Sequence, residues 1–259
     1  MTVVVPMALS DNQLDRYARH IILKQVGGAG QQKLLSARVL VIGAGGLGSP
    51  LILYLAAAGV GTIGVMDDDV VDLSNLQRQI IHTTDQIGNL KTSSAQDMIG
   101  RINPDVNIIA IPKRLSPENA KEIIADYDIV ADGCDNFATR FVVNDACLDL
   151  KKPFVSAALS QFDGQISTFK GYQSDKPCYR CFIPDDPGDV GNCAEAGILG
   201  AVAGILGTMQ AVEILKELLE LGESLAGKLV LYDALSATSR TIKLPKDPGC
   251  PACNSADSA

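Results

Sequence analysis

The chain has little positive charge and no basic leader, and each absence excludes a class of protein. Lysine and arginine number 22 against 30 aspartate and glutamate residues, which leaves a formal charge of -8. This balance argues against a nucleic-acid-binding surface, which needs clustered basic side chains. Residues 1–6 are uncharged and do not form a secretory signal. We therefore expect no nucleic-acid partner and a cytoplasmic location.

The chain also lacks an apolar run with the composition of a membrane span. The stretch 39–66 carries no formal charge, but seven glycines and Pro50 divide it. The stretch 197–212 is shorter than a usual span, and Glu213 and Lys216 follow it directly. We expect a buried, Gly/Ala-rich helix there and no membrane partner.

The order of the patterns predicts an α/β fold. Between residues 38 and 160, short apolar strands alternate with helical segments, which is typical of a Rossmann-like doubly wound sheet with mostly parallel strands. Later segments alternate like antiparallel strands, with one long helix over 197–221 among them. At the N-terminus, Ser10 caps a predicted helix over 10–25, and the glycine-rich stretch 27–37 is predicted to turn the chain toward the first strand.

A glycine cluster joins the first strand to the first helix of the sheet. Gly43, Gly45 and Gly48 fit the pattern G-x-G-x-x-G, and Asp67 ends the next strand. In this pattern the first glycine allows a tight turn, the second lets phosphate approach the backbone, and the third lets the helix pack on the strand. Alone, the motif indicates a nucleotide, most commonly NAD; a turn without a ligand is the alternative.

The residues after Asp67 favour ATP over NAD. Asp69, Asn75 and Arg78 lie in a polar run, and Lys91 follows. Two cations here add charge for a triphosphate, which NAD does not need. Further along, "DGCDN" places Asp132 and Asp135 at the carboxyl end of a parallel strand, where ligands of open sheets bind. A carboxylate there can hold Mg²⁺ against phosphate oxygens.

Several motifs together carry a more specific resemblance. "GAGGLGSP", "DDDVVDLSNLQRQ", "IGNLK", "DGCDNFATRFVVND" and the cysteine pairs resemble the MoeB/ThiF/HesA family, which is related to the ubiquitin-activating enzymes. The resemblance covers nearly the whole chain, from "RYARHIIL" to "CPAC". It implies adenylation, with Mg-ATP, of the C-terminal Gly-Gly carboxylate of a small ubiquitin-like sulfur-carrier protein. No protein nucleophile is needed, because the substrate carboxylate attacks the α-phosphorus and pyrophosphate leaves.

The resemblance also implies a role for individual residues. Asp67 binds ribose, Asp135 positions Mg²⁺, and Arg19 reaches the ATP of the other subunit in a homodimer. Arg78 and Lys91 hold the phosphates. The residues expected to contact the nucleotide are Gly43, Gly45, Gly46, Gly48, Asp67, Ser74, Asn75, Leu76, Gln77, Arg78, Lys91, Asp135 and Asn136.

Four cysteines form two C-x-x-C pairs that predict a zinc site. Cys178 and Cys181 form the first pair and Cys250 and Cys253 the second, with 68 residues between the pairs. Four soft ligands suit a closed tetrahedral Zn²⁺ site, which here would tie the C-terminal segment to the domain. The resemblance supports this assignment. Two unrelated thiol pairs, or a redox pair, are the alternatives.

Cys193 is a further candidate for the site. Cys193 is unpaired and lies in a loop before the long helix; in ThiF-like members a cysteine at this place can link covalently to the carrier, so a thiol role is possible. The alternative is an ordinary loop residue. His82 follows the "RQII" of the polar run and is interpreted as structural.

The resulting expectation is a single adenylation domain over residues 1–259. Its nucleotide-binding half covers about 36–160 and its carrier-binding and zinc half about 161–254. The expected substrate is a MoaD-like carrier of molybdopterin synthesis, with a ThiS-like carrier of thiamin synthesis as the close alternative. An NAD-dependent oxidoreductase and a non-catalytic nucleotide-binding module are the alternatives from other classes.

Overall fold

Eight strands form one twisted sheet, which a computed structural model describes over residues 9–188 and 197–254. The strands are β1 Arg38–Ile42, β2 Thr62–Met66, β3 Asn107–Ile111, β4 Ile129–Asp132, β5 Phe154–Ser160, β6 Asp163–Phe169, β7 Lys228–Asp233 and β8 Thr238–Lys243. The helices are α1 Asp11–Arg16, α2 Ala18–Ile21, α3 Gly27–Ser36, α4 Gly48–Ala58, α5 Lys91–Ile102, α6 Pro117–Ala125, α7 Phe137–Asp149, α8 Tyr179–Phe182 and α9 Gly200–Leu219.

The strand order is β3-β2-β1-β4-β5-β6-β7-β8. The first five strands in this order are parallel, and β6, β7 and β8 extend the sheet with antiparallel pairs. The predicted α/β class, with its antiparallel continuation and N-terminal helices, is therefore confirmed. The chain leaves β1 toward β2 on one side and reaches β4 on the other, so a crevice opens at the carboxyl ends of β1 and β4.

Both faces of the sheet are covered, because the central strands are apolar on both sides. Val39 and Val41 face one core, to which α4, α5 and α9 contribute, while Leu40 and Ile42 face a second core with α6, α7 and α8. Strands buried on both faces read as continuous apolar runs, as β1 does. Among the described residues, no helix is long and apolar enough to cross a membrane.

The prediction for the segment before β1 was wrong. The stretch expected to turn the chain is α3, although it contains Gly27, Gly28 and Gly30. Its buried face packs on α9, and a side chain on Gly30 would come within 3.3 Å of Leu219. Tertiary packing thus outweighs the low helix propensity of glycine, since most helical stability in proteins comes from a buried face. The predicted single helix 10–25 is instead α1 and α2, and Ser10 does cap α1.

Candidate functional site

The glycine loop between β1 and α4 lies against the loop that follows β4. Gly43 has a φ of 96°, and a Cβ there would be 2.8 Å from the carbonyl oxygen of Gly133. A Cβ on Gly48 would be 1.9 Å from the carbonyl oxygen of Gly43. Both positions therefore require glycine, for the positive φ and for the close approach of two backbones. The loop forms the floor of the crevice at the sheet's switch point.

The loop presents backbone N–H groups toward the crevice. Among the described residues, no acceptor pairs with the N–H groups of residues 45–48. These groups precede and begin α4, whose N-terminus carries a partial positive charge from the aligned peptide dipoles. An arrangement of this kind binds phosphate. The N–H groups of Gly45, Gly46 and Gly48 are therefore available for the predicted phosphate contact.

Asp67 lies beside this loop, at the end of β2. Its Oδ2 accepts a hydrogen bond from the backbone N–H of Ala44 at 2.8 Å, and its Oδ1 accepts one from the N–H of Asp69 at 2.9 Å. The half-buried carboxylate keeps acceptor capacity for the two hydroxyls of a ribose, because an ionised carboxylate has about four acceptor positions. Asp68 and Asp69 are exposed at the same edge of the sheet.

Lys91 begins α5 and is buried, while its ammonium group reaches the edge of the crevice. The Nζ atom lies 2.9 Å from Oδ2 of Asp69, whose side chain is 71% exposed. An anionic ligand can compete with such an exposed partner for the ammonium group, since a solvated ion pair contributes little free energy. The position is consistent with the predicted phosphate contact.

Arg78 lies between the glycine loop and the start of α9. A Cβ on Gly46 would be 3.5 Å from Cγ of Arg78, and a Cβ on Gly200 would be 2.4 Å from the carbonyl oxygen of Gln77. Asp72 caps the 3₁₀ turn Leu73–Asn75. The backbone of Asn75 accepts hydrogen bonds from Arg78 and Gln79, so the segment from Ser74 through Leu76 to Arg78 is one compact turn beside the loop.

The loop after β4 separates two carboxylates that the sequence presents together. Asp132 is fully buried and accepts hydrogen bonds from Arg140 at 2.7 Å and Ser156 at 2.8 Å. Asp135 is exposed, and its described contact is the side-chain amide of Asn136 at 3.4 Å. Asn136 in turn caps α7. Asp135 is therefore the carboxylate that is available to a metal ion.

His82, which the sequence indicates only as a structural residue, contacts the glycine loop. His82 is buried beneath the glycine loop, with Nε2 2.9 Å from the carbonyl oxygen of Ala44 and Nδ1 2.9 Å from Oγ of Ser94 on α5. Burial lowers the pKa of His82; the hydrogen bond to Ala44 opposes this, and the charge of Lys91 adds to it. The feature of the sequence that could have pointed to a role for His82 in the site is its position four residues after Arg78.

Arg19 does not join the site of its own chain. It lies on α2 beside Tyr17, whose ring contacts Gly59 at the C-terminal end of α4. The glycine loop is at the other end of α4, which spans 11 residues or about 16 Å. A contact between Arg19 and a nucleotide therefore requires a second subunit.

The four cysteines of the two C-x-x-C pairs converge despite their separation in sequence. Their sulfur atoms all lie within 4.8 Å of one another, with separations of 3.9 Å for Cys178 and Cys181, 3.6 Å for Cys178 and Cys250, and 3.5 Å for Cys181 and Cys253. A tetrahedral Zn²⁺ with Zn–S bonds of about 2.3 Å has sulfur separations of roughly 3.8 Å. The geometry of the donors fits that ion.

Burial and the neighbouring sulfur atoms shift the pKa values of three of these thiols. Burial raises the pKa of Cys178, and charge on Cys181 and Cys253 raises it further. Burial and Cys181 raise the pKa of Cys253 to about 12. Burial would raise the pKa of Cys250 too, but backbone hydrogen bonds at Cys253 and Ala252 outweigh it. A bound metal ion would offset the unfavourable burial of charged thiolates, because it stabilises coordinating thiolates directly.

Cys147 has a different environment from the four clustered cysteines. Cys147 is buried in α7, and burial raises its pKa, so it is a protonated core thiol. Cys193, the candidate for a covalent link, lies outside the described residues.

The fold is that of an open α/β protein with a crevice at the switch point of its sheet, which is where such sheets bind their ligands. The chain belongs to the ThiF family, which it matches over residues 17–252. It is 48% identical over 252 residues to the sulfur carrier protein adenylyltransferase of Thermus thermophilus, covering 95% of this chain and 93% of that protein. It is 47% identical over 249 residues to the SAMP-activating enzyme E1 of Haloferax volcanii, covering 95% and 91%.

The chain also matches longer relatives, and it shares its fold with solved structures. The mouse adenylyltransferase and sulfurtransferase MOCS3 is 45% identical, and the match covers 95% of this chain but 54% of that protein. Among solved structures, E. coli MccB with ATP superposes with a TM-score of 0.80 at 21% identity, covering 92% of this chain and 74% of that chain. PaaA superposes with a TM-score of 0.79 at 21% identity, covering 95% and 78%. At these identities the likeness concerns the fold.

Proposed function

We propose that this enzyme uses Mg-ATP to adenylate the C-terminal carboxylate of a small ubiquitin-like sulfur-carrier protein that ends in Gly-Gly. The observation that carries the proposal is the convergence of free backbone donors, Arg78 and Lys91 at one crevice. This is more positive charge than a dinucleotide needs and suits a triphosphate. The names of the relatives, among them a sulfur carrier protein adenylyltransferase, support the same reaction.

The chain's residues supply position and charge for this reaction. The N–H groups of residues 45–48, with Arg78 and Lys91, bind the phosphates and orient the α-phosphorus toward the incoming carboxylate. As the carboxylate oxygen bonds to that phosphorus, the bond to the bridging oxygen of the β-phosphate breaks and pyrophosphate leaves. Donors already in place stabilise the developing charge without reorganisation. Asp135 would hold Mg²⁺, which neutralises phosphate charge when bound.

The zinc ion is assigned a structural role. Cys178, Cys181, Cys250 and Cys253 would fill all four coordination positions with sulfur, so a bound Zn²⁺ would have no open position for substrate. The site joins the start of α8 to the segment after β8. We divide the domain into a nucleotide-binding half, about 36–160, and a carrier-binding and zinc half, about 161–254.

An apolar rim supports docking of the carrier on the second half. The rim consists of Phe162, Leu199 and Leu235, which are 37%, 50% and 76% exposed. Backbone hydrogen bonds join it, from Ala234 to Phe162 and from Leu199 to Gln161. The turns lie at the edge of the sheet where β1 and β4 end. A protein docked there can extend its C-terminal residues into the crevice.

Exposed apolar side chains on α4, on α9 and at the end of α2 support a homodimer. Tyr54 on α4, and Ile205 and Val212 on α9, are exposed, and the two helices pack together. Ile22 is 67% exposed beside Arg19, and α3 connects this region to α9. We propose that these residues are buried against a second copy, in which Arg19 contacts the partner's phosphates. Because the reaction consumes ATP, we expect it in the cytoplasm.

ATP–pyrophosphate exchange tests the proposal. Exchange should require a carrier that ends in Gly-Gly, and a carrier shortened by its last glycine is the matched control. MoaD-like and ThiS-like carriers, compared in parallel, identify the pathway. Calorimetry that shows tight NAD binding and no Mg-ATP binding would support the oxidoreductase alternative, and Mg-ATP binding without exchange would support a non-catalytic module.

A further inference from the structure

The peptide group between Ala44 and Gly45 is held on one side by His82. The carbonyl oxygen of Ala44 accepts a hydrogen bond from Nε2 of His82 at 2.9 Å. A carbonyl only accepts, so Nε2 carries the proton, and in the neutral ring Nδ1 accepts from the hydroxyl of Ser94, 2.9 Å away. His82 is therefore held between the glycine loop and α5, the helix that begins with Lys91.

The orientation of this carbonyl determines where the next N–H points. In a planar trans peptide the C=O and N–H vectors are nearly antiparallel. His82 holds the Ala44 carbonyl toward the protein interior, so the N–H of Gly45 points away from His82. That N–H donates to no acceptor among the described residues. It is one of the donors assigned to phosphate.

Because residue 45 is glycine, the Ala44–Gly45 peptide can change its orientation easily unless a hydrogen bond holds it. A flip of the peptide needs a large change in φ at position 45, and glycine adopts positive and negative φ about equally well. The carboxylate of Asp67 bonds to the N–H of Ala44, which belongs to the preceding peptide. Two described side chains bond to the backbone of Ala44. Of these, His82 bonds to the carbonyl oxygen, whose orientation determines where the N–H of Gly45 points.

We infer that His82 is a positioning residue for nucleotide binding: its Nε2–H holds the Ala44–Gly45 peptide so that the N–H of Gly45 faces the phosphates of ATP. The inference rests on the proposed function. It assigns His82 no proton transfer and no contact with the nucleotide. The action passes through the loop backbone.

Substitution at position 82 provides the first test, with Mg-ATP binding measured by calorimetry. His82→Leu removes the donor and should weaken binding about tenfold, the loss of one well-placed hydrogen bond. His82→Gln can still donate from its side-chain amide and should recover most of the affinity. Ile124→Val, which removes one buried methylene on α6, is the control for general destabilisation and should bind like the wild type.

Two further measurements on the wild type test the role of His82 even if His82→Leu does not fold. The chain has two histidines, so ¹⁵N spectra of labelled histidine are simple, and His20→Gln assigns the signals. Wild-type His82 should be the neutral Nε2–H tautomer, and its signal should shift when Mg-ATP is added, because a phosphate bonded to the Gly45 N–H polarises the same peptide. An Nδ1–H tautomer, or a signal unchanged at saturation, would overturn the inference.

The outcomes separate this inference from the proposed function. If the wild type does not bind Mg-ATP, both are wrong. If the wild type binds and His82→Leu binds equally well, only the role of His82 is wrong. If His82→Gln is as weak as His82→Leu although both are folded, the histidine ring fills space, and the hydrogen bond does not position the loop.

Discussion

The guanidinium Nε of Arg140 lies 2.7 Å from Oδ2 of Asp132, and both side chains are buried at the carboxyl end of β4. The same oxygen of Asp132 also accepts from Ser156, and its other oxygen accepts from the backbone N–H of Cys134. Arg140 also donates to the carbonyl of Cys134. The pair thus holds the loop that presents Asp135, and Asp132 itself is not free for a metal ion.

Asp132→Asn should therefore destabilise the protein strongly. The change leaves Arg140 buried without its charge partner, which typically costs about 3–5 kcal/mol. The free energy of unfolding in urea measures the loss. Asp145→Asn, which breaks a partly exposed pair with Arg180, is the control and should cost much less. Equal, small losses would contradict the inference that Asp132 carries a structural charge.

Asp135→Asn should leave stability nearly unchanged and lower activity. Its side chain is exposed, and among the described residues its contact is the long one with Asn136, so stability should change by about 0.5 kcal/mol or less. Pyrophosphate exchange should fall by at least about 100-fold, because the proposed metal carboxylate is lost. Asp149→Asn at the far end of α7 is the control. Near-normal exchange by Asp135→Asn would show that this carboxylate is not essential.

Arg19→Ala and Asp135→Ala should complement each other in mixed dimers. Each variant alone should be inactive, since every site lacks one of the two residues. A hybrid dimer has one site with both residues native, so exchange of subunits should restore about a quarter of wild-type activity if the two sites act independently. Native mass spectrometry would verify the hybrid. A hybrid without activity would mean that Arg19 does not act across the interface.

Cys250→Ser should lower both zinc content and thermal stability. The native protein should contain one Zn²⁺ per chain, and losing it releases the segment after β8, with a fall in Tm of about 5 °C or more. Activity per folded molecule should be retained. Cys147→Ser is the control, because its thiol is buried outside the cluster. Native protein without zinc would contradict the site, and a folded but inactive Cys250→Ser would contradict the structural role.

Acid should destabilise the wild type more than His82→Gln. Burial lowers the pKa of His82 below its ordinary value of 6.5, so the unfolded chain takes up this proton first as the pH falls. Stability is then lost below about pH 6.5, whereas above it both states are neutral and His82 contributes no pH dependence. Urea unfolding at pH 7.5 and 5.5 gives the loss for each protein. The same loss in both would mean that the pKa of His82 is not lowered.

The sequence alone determined the features that depend on spacing along the chain. Alternating apolar strands and helices, the interval of Gly43, Gly45 and Gly48, and the two C-x-x-C pairs are local patterns. Their physical causes are local as well: a strand buried on both faces is apolar throughout, and a tight turn requires glycine. The order of these patterns was enough to predict the parallel sheet and its antiparallel extension.

The tertiary structure decided which side chains meet across long separations. Nothing local distinguishes Asp132 from Asp135; Arg140 and Ser156 do so, because they bury one carboxylate and leave the other exposed. Most of the glycine-rich stretch, Gly27–Ser36, is a helix because α9 packs on it. His82 reaches Ala44, 38 residues away, and Arg19 lies at the wrong end of α4 for its own site. Such contacts depend on how separate elements pack, which the spacing of residues along the chain does not encode.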